Sequence, residues 1–430
     1  MYQSPRGTQD IVPEDAVVWR YVERQAAETA RRFAYGEIRT PTFEDASLFL
    51  RGVGAGTDIV DKEIYRFQDK GGSDLALRPE GTASVVRAYL QHGMASRPQP
   101  VKLYSLLTVF RYDRPQAGRY REFRQFNVEA IGEEDPLADV EVIAVLWRFL
   151  EGLGLRDLTV LLNSIGDPIC RPEYIRALRA YYEPHRDRIC ADDRRRLETN
   201  PLRLLDCKQA GCQPIVAGAP NITDYLCDAC RQHFERLKSY LDAMEIPFEL
   251  APRLVRGLDY YTRTVFEVVP PKIGAQATIG GGGRYDGLAE LLGGKHTPGV
   301  GFAAGMDRII MNLRQQCAPL PEAEAPRVFI APVGRDVVGD EAKRRAIALA
   351  DQLRARDVAT QVGMGDRSMK ARLRQADASG ARLAVIIGEE ELREGQATVK
   401  DLQNAEQGRI GFDRLVDYLA DTPAAEAVAP

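Results

Sequence analysis

Apolar and polar positions in the first third of the chain change their spacing several times, and each change predicts a new element. Apolar residues recur at helical spacing over 13–35, which predicts an amphipathic helix. The segment 36–49 turns extended, because Pro41 disfavours helix for itself and for the residue before it. Two apolar runs joined by a Pro- and Gly-containing loop over 101–131 predict a long antiparallel hairpin, and 137–152 has the pattern of an amphipathic helix.

The second half of the chain predicts a helical region, a return to strands and then a separate domain. Residues 169–240 are rich in Arg and Asp, hold most of the cysteines and have helical character, which predicts an insertion. Strand-like patterns resume at 248–269 and 276–280, before a predicted helix at 302–316. Strand and helix then alternate from VFIAPVG onward, which predicts an α/β domain with a largely parallel sheet.

Composition narrows the classes of function. The 430 residues carry a net charge of −4, which argues against indiscriminate coating of nucleic acid. Residues 343–382 nevertheless hold ten Lys and Arg against four Asp, a local balance of +6 that suits a phosphate backbone. No apolar run approaches the roughly 20 residues of a membrane span, and the N-terminus has no apolar signal core. We therefore expect a cytoplasmic protein with no membrane partner.

Polar side chains alternate along the second strand of the predicted hairpin. Strand geometry places Gln125, Asn127 and Glu129 on one face, opposite an apolar face that contains Phe126 and Val128. The row is either a solvated sheet face or the floor of a pocket that hydrogen-bonds a small polar ligand. The sequence alone leaves both interpretations open.

Two further polar stretches have a structural and a functional interpretation. Arg111 ends the first strand of the hairpin, where it either grips a phosphate or forms an ion pair with Glu129. Glu80 and Thr82, in LRPEGTA, either begin a helix or capture an ammonium group. Taken alone, the second pair favours the helix start.

Glycine-rich stretches later in the chain match neither a phosphate-binding loop nor a dinucleotide-binding fingerprint. The four glycines of GGGGRYDG (280–287) indicate that the backbone passes close to another strand or to a flat ligand. In PGVGFAAGMDRI (298–309), small residues precede Arg308, which either reaches a nucleotide or lies in a helix-packing interface.

Arg256 lies within an apolar, strand-like run, LVRGLDYYTRTVFE (254–267). A buried arginine needs an anion or a partner carboxylate, because burying an unpaired charge is very costly. Regular alternation would also turn Arg256 and Tyr261 to opposite faces, so a shared site requires a break, for which the glycine after Arg256 is the natural place. We expect irregular backbone over Arg256–Asp259 and regular strand from about Tyr260.

Four of the seven cysteines have a spacing close to a structural zinc pattern, C-x4-C, fourteen residues, then C-x2-C: Cys207, Cys212, Cys227 and Cys230. Zinc bound by these four residues and reduced thiols in a helical region both remain open. The other cysteines, Cys170, Cys190 and Cys317, have no evident partners in the sequence.

In their order and combination, these stretches resemble the histidyl-tRNA synthetase family, a class II aminoacyl-tRNA synthetase family, over nearly the whole chain. RGTQDIVPED resembles the family's opening, and the Pro41 region resembles motif 1, which is associated with a homodimer interface. YSLLTVFRYDRPQAGRYREFRQFNVEAIG resembles motif 2, and PGVGFAAGMDR resembles motif 3. LVRGLDYY and GGGRYDGL resemble two motifs peculiar to the histidine enzymes.

The resemblance implies a histidine–tRNA ligase, which activates L-histidine with ATP and Mg²⁺ and transfers it to the 3′ end of tRNA(His). It implies that histidine is held by Glu80, Gly81, Thr82, Gln125, Glu129, Arg256, Tyr260, Tyr261 and Tyr285. It further implies that ATP is held by Arg111, Arg121 and Arg308. Arg256 and Arg111 have the implied catalytic roles, with Arg256 between the histidine carboxylate and the α-phosphate.

The fold implied by the resemblance is α+β, with an antiparallel-sheet class II catalytic core, a helical insertion and a C-terminal α/β anticodon-binding domain. The expected boundaries are a core of 1–168 and 241–316, an insertion of 169–240, a linker of 317–326, an anticodon-binding domain of 327–420 and a disordered tail of 421–430. Zinc is not implied, because many family members lack the paired cysteines. The alternative function is a non-catalytic, histidine-sensing regulatory subunit of ATP phosphoribosyltransferase, which is expected to lack the C-terminal domain and the arginine of LVRGLDYY.

Overall fold

The structure is a computed structural model that describes residues 2–54, 57, 59–271, 278–323, 325–404 and 406–422. These residues divide into two compact units with a boundary after Pro321. Of the tail predicted to be disordered, residues 423–430 lie outside the described residues, and Asp421 is the last residue of a helix. No helix in the described part of the chain is long and apolar enough to cross a membrane.

The first unit combines helices with a large sheet. Its helices are α1 (Pro13–Arg32), α2 (Ala46–Val53), α3 (Thr82–Gln91), α4 (Pro136–Gly152), α5 (Arg171–Tyr182), α6 (Ala191–Thr199), α7 (Gln213–Gly218), α8 (Asp228–Ala243), α9 (Leu288–Leu291) and α10 (Met306–Gln315). Its strands are β1 (Gly36–Glu37), β2 (Phe43–Asp45), β3 (Arg66–Gln68), β4 (Asp74–Leu77), β5 (Val101–Phe110), β6 (Glu122–Ile131), β7 (Thr159–Ser164), β8 (Phe248–Leu250), β9 (Thr262–Val269), β10 (Gly280–Arg284) and β11 (Gly299–Gly305).

Two predicted boundaries in this unit are wrong. Helix α2 begins at Ala46, inside the segment expected to be extended, because the side chain of Asp45 accepts a hydrogen bond from the backbone N–H of Ser47 at 2.8 Å and caps the helix. The helix predicted at 302–316 begins only at Met306, because the small residues before it form strand β11 between two other strands.

One eight-stranded sheet forms the centre of the first unit, in the order β1-β5-β6-β11-β10-β9-β7-β8. Its inner strands pair antiparallel, while the outer pairs β1–β5 and β7–β8 are parallel. Strand β5 pairs with β6 from Val101 opposite Ile131 to Phe110 opposite Glu122, which confirms the predicted hairpin. The α+β class is therefore confirmed.

Alternation along β6 turns one face of this sheet into the hydrophobic core. Phe126 is fully buried, and its ring centroid lies 5.0 Å from that of Phe149 on α4 and 5.4 Å from that of Phe302 on β11. Both pairs have the edge-on geometry that aromatic rings favour. The opposite face of β6 therefore carries Gln125 and Glu129 away from this core.

A buried ion-pair network joins the end of β10 to helix α4. Arg284 is fully buried, and its guanidinium lies 2.5 Å from a carboxylate oxygen of Asp139 and 3.1 Å from one of Asp286. His233 on α8 lies 3.6 Å from the same Asp139 carboxylate. Burial by itself would raise the pKa of Asp139, but the charge of Arg284, together with His233 and the hydroxyl group of Thr264, outweighs burial and lowers that pKa.

We expect Arg284→Ala to lower the free energy of unfolding by about 3–5 kcal/mol, because Asp139 would be left buried without its cation. Urea unfolding followed by circular dichroism measures the loss. The control Arg148→Ala removes an exposed arginine of α4 that pairs with Glu151, and it should cost less than about 1 kcal/mol. Equal losses in the two variants would contradict a stabilising role for the network.

The second unit is an α/β unit in the chain order β12 (Val328–Pro332), α11 (Asp336–Arg354), β13 (Thr360–Val362), α12 (Met369–Ala378), β14 (Leu383–Ile387), α13 (Glu389–Glu394), β15 (Gln396–Asp401), β16 (Gln407–Gly411) and α14 (Phe412–Asp421). Its sheet has the order β13-β12-β14-β15-β16. Strand β12 is parallel to β13 and β14, as predicted, but β14–β15 and β15–β16 are antiparallel. The last two strands were missed because they lack the apolar runs that mark β12 and β14.

Candidate active site

The polar residues of β6 form a buried cluster. Gln125, Asn127 and Glu129 are 8%, 1% and 1% exposed, so the interpretation as a solvated sheet face is wrong. Oε1 of Gln125 and both side-chain amide atoms of Asn127 are buried with no hydrogen-bond partner among the described residues. Buried polar atoms without partners are costly, so these atoms mark positions where a polar ligand would complete the hydrogen bonds.

Glu129 is the most strongly perturbed carboxyl group of this cluster. Thr82 Oγ1 donates to its Oε1 at 2.7 Å, and the hydroxyl of Tyr285 donates to its Oε2 at 2.5 Å. Burial nevertheless raises the pKa of Glu129 to about 8. Gly301 lies opposite Glu129 on β11, where a Cβ atom would be 1.9 Å from Oε2, so the carboxylate fits only because this position is glycine.

Glu80 both begins a helix and faces the cluster. Its carboxylate accepts hydrogen bonds from the backbone N–H groups of Thr82 at 2.7 Å and Ala83 at 2.9 Å, which satisfies the first turn of α3. Burial still raises its pKa, and the hydroxyl of Tyr260 approaches it at 3.4 Å. A Cβ on Gly81 would lie 2.4 Å from Nδ2 of Asn127, so this turn touches the floor of the cluster. The structural and functional interpretations of Glu80 are thus compatible.

Three buried tyrosines close one side of the cluster. The ring centroid of Tyr260 lies 4.7 Å from that of Tyr261 and 5.9 Å from that of Tyr285. Burial raises the pKa of all three hydroxyl groups, so they remain neutral hydrogen-bond donors at physiological pH.

Arg256 has a carboxylate partner in this structure. It forms an ion pair with Glu267 on β9, and its Nε is buried with no hydrogen-bond partner among the described residues. Its guanidinium carbon lies 5.9 Å from the ring centroid of Tyr261, so both residues reach one site. Although burial opposes its charge, Glu267 raises the pKa of Arg256.

The backbone around Arg256 confirms the predicted irregularity. Residues 254–261 form no strand, and β9 begins at Thr262, two residues later than expected. The strand predicted from the composition of 254–267 therefore forms only in the second half of this segment. The irregular path is what allows Arg256 and Tyr261, five residues apart, to face the same cluster.

Arg111 and Arg308 lie beside the same cluster. Nε of Arg111 donates to the carbonyl of Pro79 at 2.8 Å, and Nε of Arg308 donates to that of Gly118 at 3.0 Å. Burial lowers the pKa of both guanidinium groups. The charge of Arg119 lowers the pKa of Arg308 further, whereas the carboxylates of Glu63 and Glu80 offset part of the effect of burial on Arg111. An anion beside Arg308 would therefore favour its charged state.

Arg121, the remaining arginine with an implied ATP role, is held by its own loop. Its guanidinium lies 3.9 Å from the ring centroid of Tyr112, and Nε donates to the carbonyl of Asp113 at 3.2 Å. Arg119 and Glu267 were not singled out by sequence reasoning. A loop has no alternation that would assign the face of Arg119, and the position of Glu267 within β9 gave no sign of its partner.

The four cysteines of the predicted zinc pattern do not come together, so a single site built from them is wrong. Two separate groups form instead: Asp167, Cys170, Cys227 and Cys230 in the first cysteine cluster, and Cys190, Asp193, Cys207 and Cys212 in the second. Cys227 and Cys230, at the start of α8, lie beside the loop after β7 and apart from Cys207 and Cys212. Sequence spacing misled because it says nothing about which distant segment supplies the remaining ligands.

The positive balance of residues 343–382 overstates the charge at the surface of the second unit. Arg372 is buried and donates to backbone carbonyl groups, and Lys343 forms an ion pair with Asp366 at 2.6 Å. Three basic side chains on and just before α12 are exposed, with no ion-pair partner among the described residues: Arg367, Lys370 and Arg374.

Comparison with known families covers both units. A family model described as histidyl-tRNA synthetase matches residues 7–167 and 213–309, which is more than half of the chain. A second model, described as anticodon binding domain, matches residues 327–422.

Curated relatives match nearly the whole chain. The histidine–tRNA ligase of Dehalococcoides mccartyi is 53% identical over 97% of this chain and 98% of its own length, and that of Pelotomaculum thermopropionicum is 49% identical over 97% of each. The crystal structure of apo S. aureus histidyl-tRNA synthetase is 40% identical, with a TM-score of 0.81 over 98% of this chain and 100% of that one. These relatives support a synthetase and not the regulatory-subunit alternative. The chain therefore belongs to the histidyl-tRNA synthetase family, within the class II aminoacyl-tRNA synthetases.

Proposed function

We propose that the buried cluster around Glu129 and the neighbouring arginines form the site in which this chain activates histidine. As a histidine–tRNA ligase, the chain joins L-histidine to ATP, with release of pyrophosphate, and transfers the histidyl group to tRNA. The observation that carries the proposed location is a set of amide atoms on Gln125 and Asn127, which have no hydrogen-bond partner among the described residues and lie beside the paired carboxylate of Glu129.

In the proposed arrangement, the cluster binds histidine at both of its ends. Gln125 and Glu129, with the hydroxyl groups of Tyr261 and Tyr285, pair with the N–H groups of the imidazole. The other end of the amino acid meets the buried turn that begins α3, where Glu80, Thr82 and Tyr260 bind its ammonium group. An amino acid without the imidazole would leave buried polar groups unpaired, and such sites reject analogues strongly.

The arginines supply the positive charge that the first reaction step requires. The histidine carboxylate attacks the α-phosphorus of ATP, the new P–O bond forms, and the bond to the leaving pyrophosphate breaks. Two anions approach one another in this step, so fixed cations lower its barrier. Arg111 and Arg256 face the α-phosphate in our proposal, Arg308 and Arg121 hold the nucleotide, and Mg²⁺ enters with the ATP polyphosphate.

Exchange of labelled pyrophosphate into ATP tests this assignment. We expect exchange that depends on histidine, because adenylate formation is reversible and requires both halves of the site. A purified chain that binds histidine but gives no exchange would contradict the proposal and would support histidine sensing instead.

We propose that the exposed basic side chains of α12 contact the tRNA backbone. Replacing Arg367, Lys370 and Arg374 together with alanine should weaken tRNA binding. The slope of the logarithm of the binding constant against the logarithm of the salt concentration should become shallower by about 0.7–0.9 for each phosphate that is no longer neutralised. Filter binding across a salt series measures the slope, and pyrophosphate exchange should not change. The control is the double variant Arg31→Ala and Arg32→Ala, which changes two exposed arginines in the last turn of α1. An equal loss of tRNA affinity in the control would contradict a specific contact at α12.

Assembly as a homodimer in the cytoplasm completes the proposal. The motif 1-like segment around Pro41 supports it, because Phe43 and Phe67 beside this segment are 52% and 42% exposed and pack on each other. A cavity of about 660 Å³ adjoins Pro41 and Arg87. Sedimentation velocity of the purified chain distinguishes a dimer from a monomer.

A further inference from the structure

The two cysteine clusters have the composition and compactness of metal sites. Each contains three cysteines and one aspartate, and within each cluster the four candidate ligand atoms all lie within 4.8 Å of one another. Six of the eight residues are buried, and the other two are half-buried. The second cluster also lies wholly within 168–212, the segment that the family model leaves unmatched.

Distances within the clusters match the edges of a zinc tetrahedron. The sulfur atoms of Cys170 and Cys230 are 3.8 Å apart, and those of Cys190 and Cys207 are 3.9 Å apart. A Zn–S bond of about 2.3 Å gives a tetrahedral S–S edge of about 3.8 Å, whereas a disulfide requires about 2.05 Å. Oδ1 of Asp167 lies 3.5 Å from the sulfur of Cys170, and Zn–O and Zn–S bonds give an edge of about 3.5 Å.

The backbone around the clusters is arranged for thiolate ligands. Four of the cysteines directly precede helices: Cys170 before α5, Cys190 before α6, Cys212 before α7 and Cys227 before α8. The positive end of a helix stabilises a thiolate. Backbone N–H groups also donate to sulfur at 3.3 Å for Cys212 and at 3.4 Å for Cys170 and Cys190.

The aspartate of each cluster has an arginine partner. Asp193 is fully buried; its Oδ1 pairs with Arg196 at 3.1 Å, and its Oδ2 is buried with no hydrogen-bond partner among the described residues. Asp167 has a comparable arginine, Arg263, at 3.8 Å. In metal sites, the carboxylates that bind the metal are commonly hydrogen-bonded by a neighbouring side chain that does not itself bind it. A divalent cation would also offset the repulsion between the carboxylate and the thiolates.

We propose that the helical region binds two zinc ions, one in each cysteine cluster, each through three cysteine sulfurs and one aspartate oxygen. Four protein ligands leave no open position for substrate, so both sites are structural. The first site ties the loop after β7 to the start of α8. The second ties α6 to the segment that leads into α7.

The proposal is tested by metal analysis of the full-length chain, purified from cells grown in medium that contains zinc. We expect two zinc ions per chain. Cobalt substitution should give thiolate-to-cobalt charge-transfer absorption, which requires no variant and so does not depend on how a variant folds. Cys230→Ser and Cys207→Ser should each lower the zinc content from two to one, while Cys317→Ser, which changes an exposed cysteine outside both clusters, should leave two.

Three outcomes would overturn the proposal. The first is a metal-free chain whose cysteines all react with a thiol reagent after unfolding, which would show reduced thiols. The second is a loss of two mass units per cysteine pair under non-reducing conditions, which would show disulfides. The third is a single zinc ion that is lost in both Cys230→Ser and Cys207→Ser. That result would show one site formed jointly by the pair Cys207 and Cys212 and the pair Cys227 and Cys230.

Discussion

Arg256→Ala is expected to slow histidine-dependent pyrophosphate exchange by about 10²–10³-fold, the typical cost of removing one fixed group that stabilises a transition state. Arg256 is buried at the cluster and has one guanidinium nitrogen, Nε, without a hydrogen-bond partner among the described residues. In the proposed reaction its charge lies between the histidine carboxylate and the α-phosphate, where negative charge increases as the two groups approach.

The comparison with histidine binding makes this prediction specific. Calorimetric titration of histidine should show a much smaller loss than exchange does, because the imidazole and the ammonium group are bound by other residues. Arg148→Ala, on the exposed face of α4, is the matched control and should leave exchange unchanged. If Arg256→Ala reduced binding and exchange by the same factor, the arginine would position the substrate and would not act on the transition state.

The ion pair between Arg256 and Glu267 is compatible with the proposed role of Arg256. Glu267 also accepts a hydrogen bond from Thr278 Oγ1 at 2.6 Å, so its carboxylate has a second donor and does not depend on the arginine alone. Arg256 can therefore turn toward an incoming phosphate without leaving Glu267 unpaired. The ion pair holds the guanidinium charged and in place before ATP binds.

Glu129→Gln is expected to weaken histidine binding by about 10- to 150-fold, which corresponds to the 1.5–3 kcal/mol of a hydrogen bond to a charged group. The carboxylate of Glu129 is the acceptor at the centre of the cluster, and its two oxygens already receive hydrogen bonds from Thr82 and Tyr285. An amide cannot accept on both sides, so the network would lose a bond even where the shape is kept. Isothermal titration at fixed pH measures the loss.

The pH dependence of the same binding reports the protonation of Glu129. Burial raises the pKa of Glu129 to about 8 in the substrate-free protein, so at pH 7 its carboxyl group is mostly protonated. Pairing with an imidazole N–H requires the carboxylate, so histidine binding should release a proton. The affinity should then rise by about fivefold from pH 7 to pH 8 and approach its limit about one pH unit above that.

Two controls separate this effect from titration of the ligand and from damage to the strand. The rise should vanish in Glu129→Gln, which has no proton to release. Glu122→Gln changes a carboxyl group at the other end of β6 and should keep both the affinity and the rise. An affinity that falls between pH 7 and pH 8 would mean that a protonated Glu129 donates to the imidazole, contrary to the proposed arrangement.

Local geometry explains which features were predictable from the sequence. The side chains of a strand alternate whatever lies beside it, so the hairpin β5–β6 and the face that carries Gln125 and Glu129 followed from the pattern of residues. The break at Arg256 followed from the same rule, because two residues five positions apart cannot share a face of a regular strand. The order of the motifs was sufficient to indicate the family, which the comparisons then showed.

Pairings between distant segments depend on the tertiary structure. The pattern of residues within single segments determined the C-terminal α/β unit and the polar face of β6, and the motifs carried the resemblance that implies the α+β class. Only the folded chain decided that Arg256 pairs with Glu267, that Arg119 approaches Arg111 and Arg308, and that the cysteines divide into two clusters. The physical reason is that spacing along the chain restricts which neighbours can meet within one helix or strand, whereas the packing of the elements selects partners far apart in the chain, such as Cys170 and Cys230, 60 residues apart, or Glu129 and Tyr285, 156 residues apart.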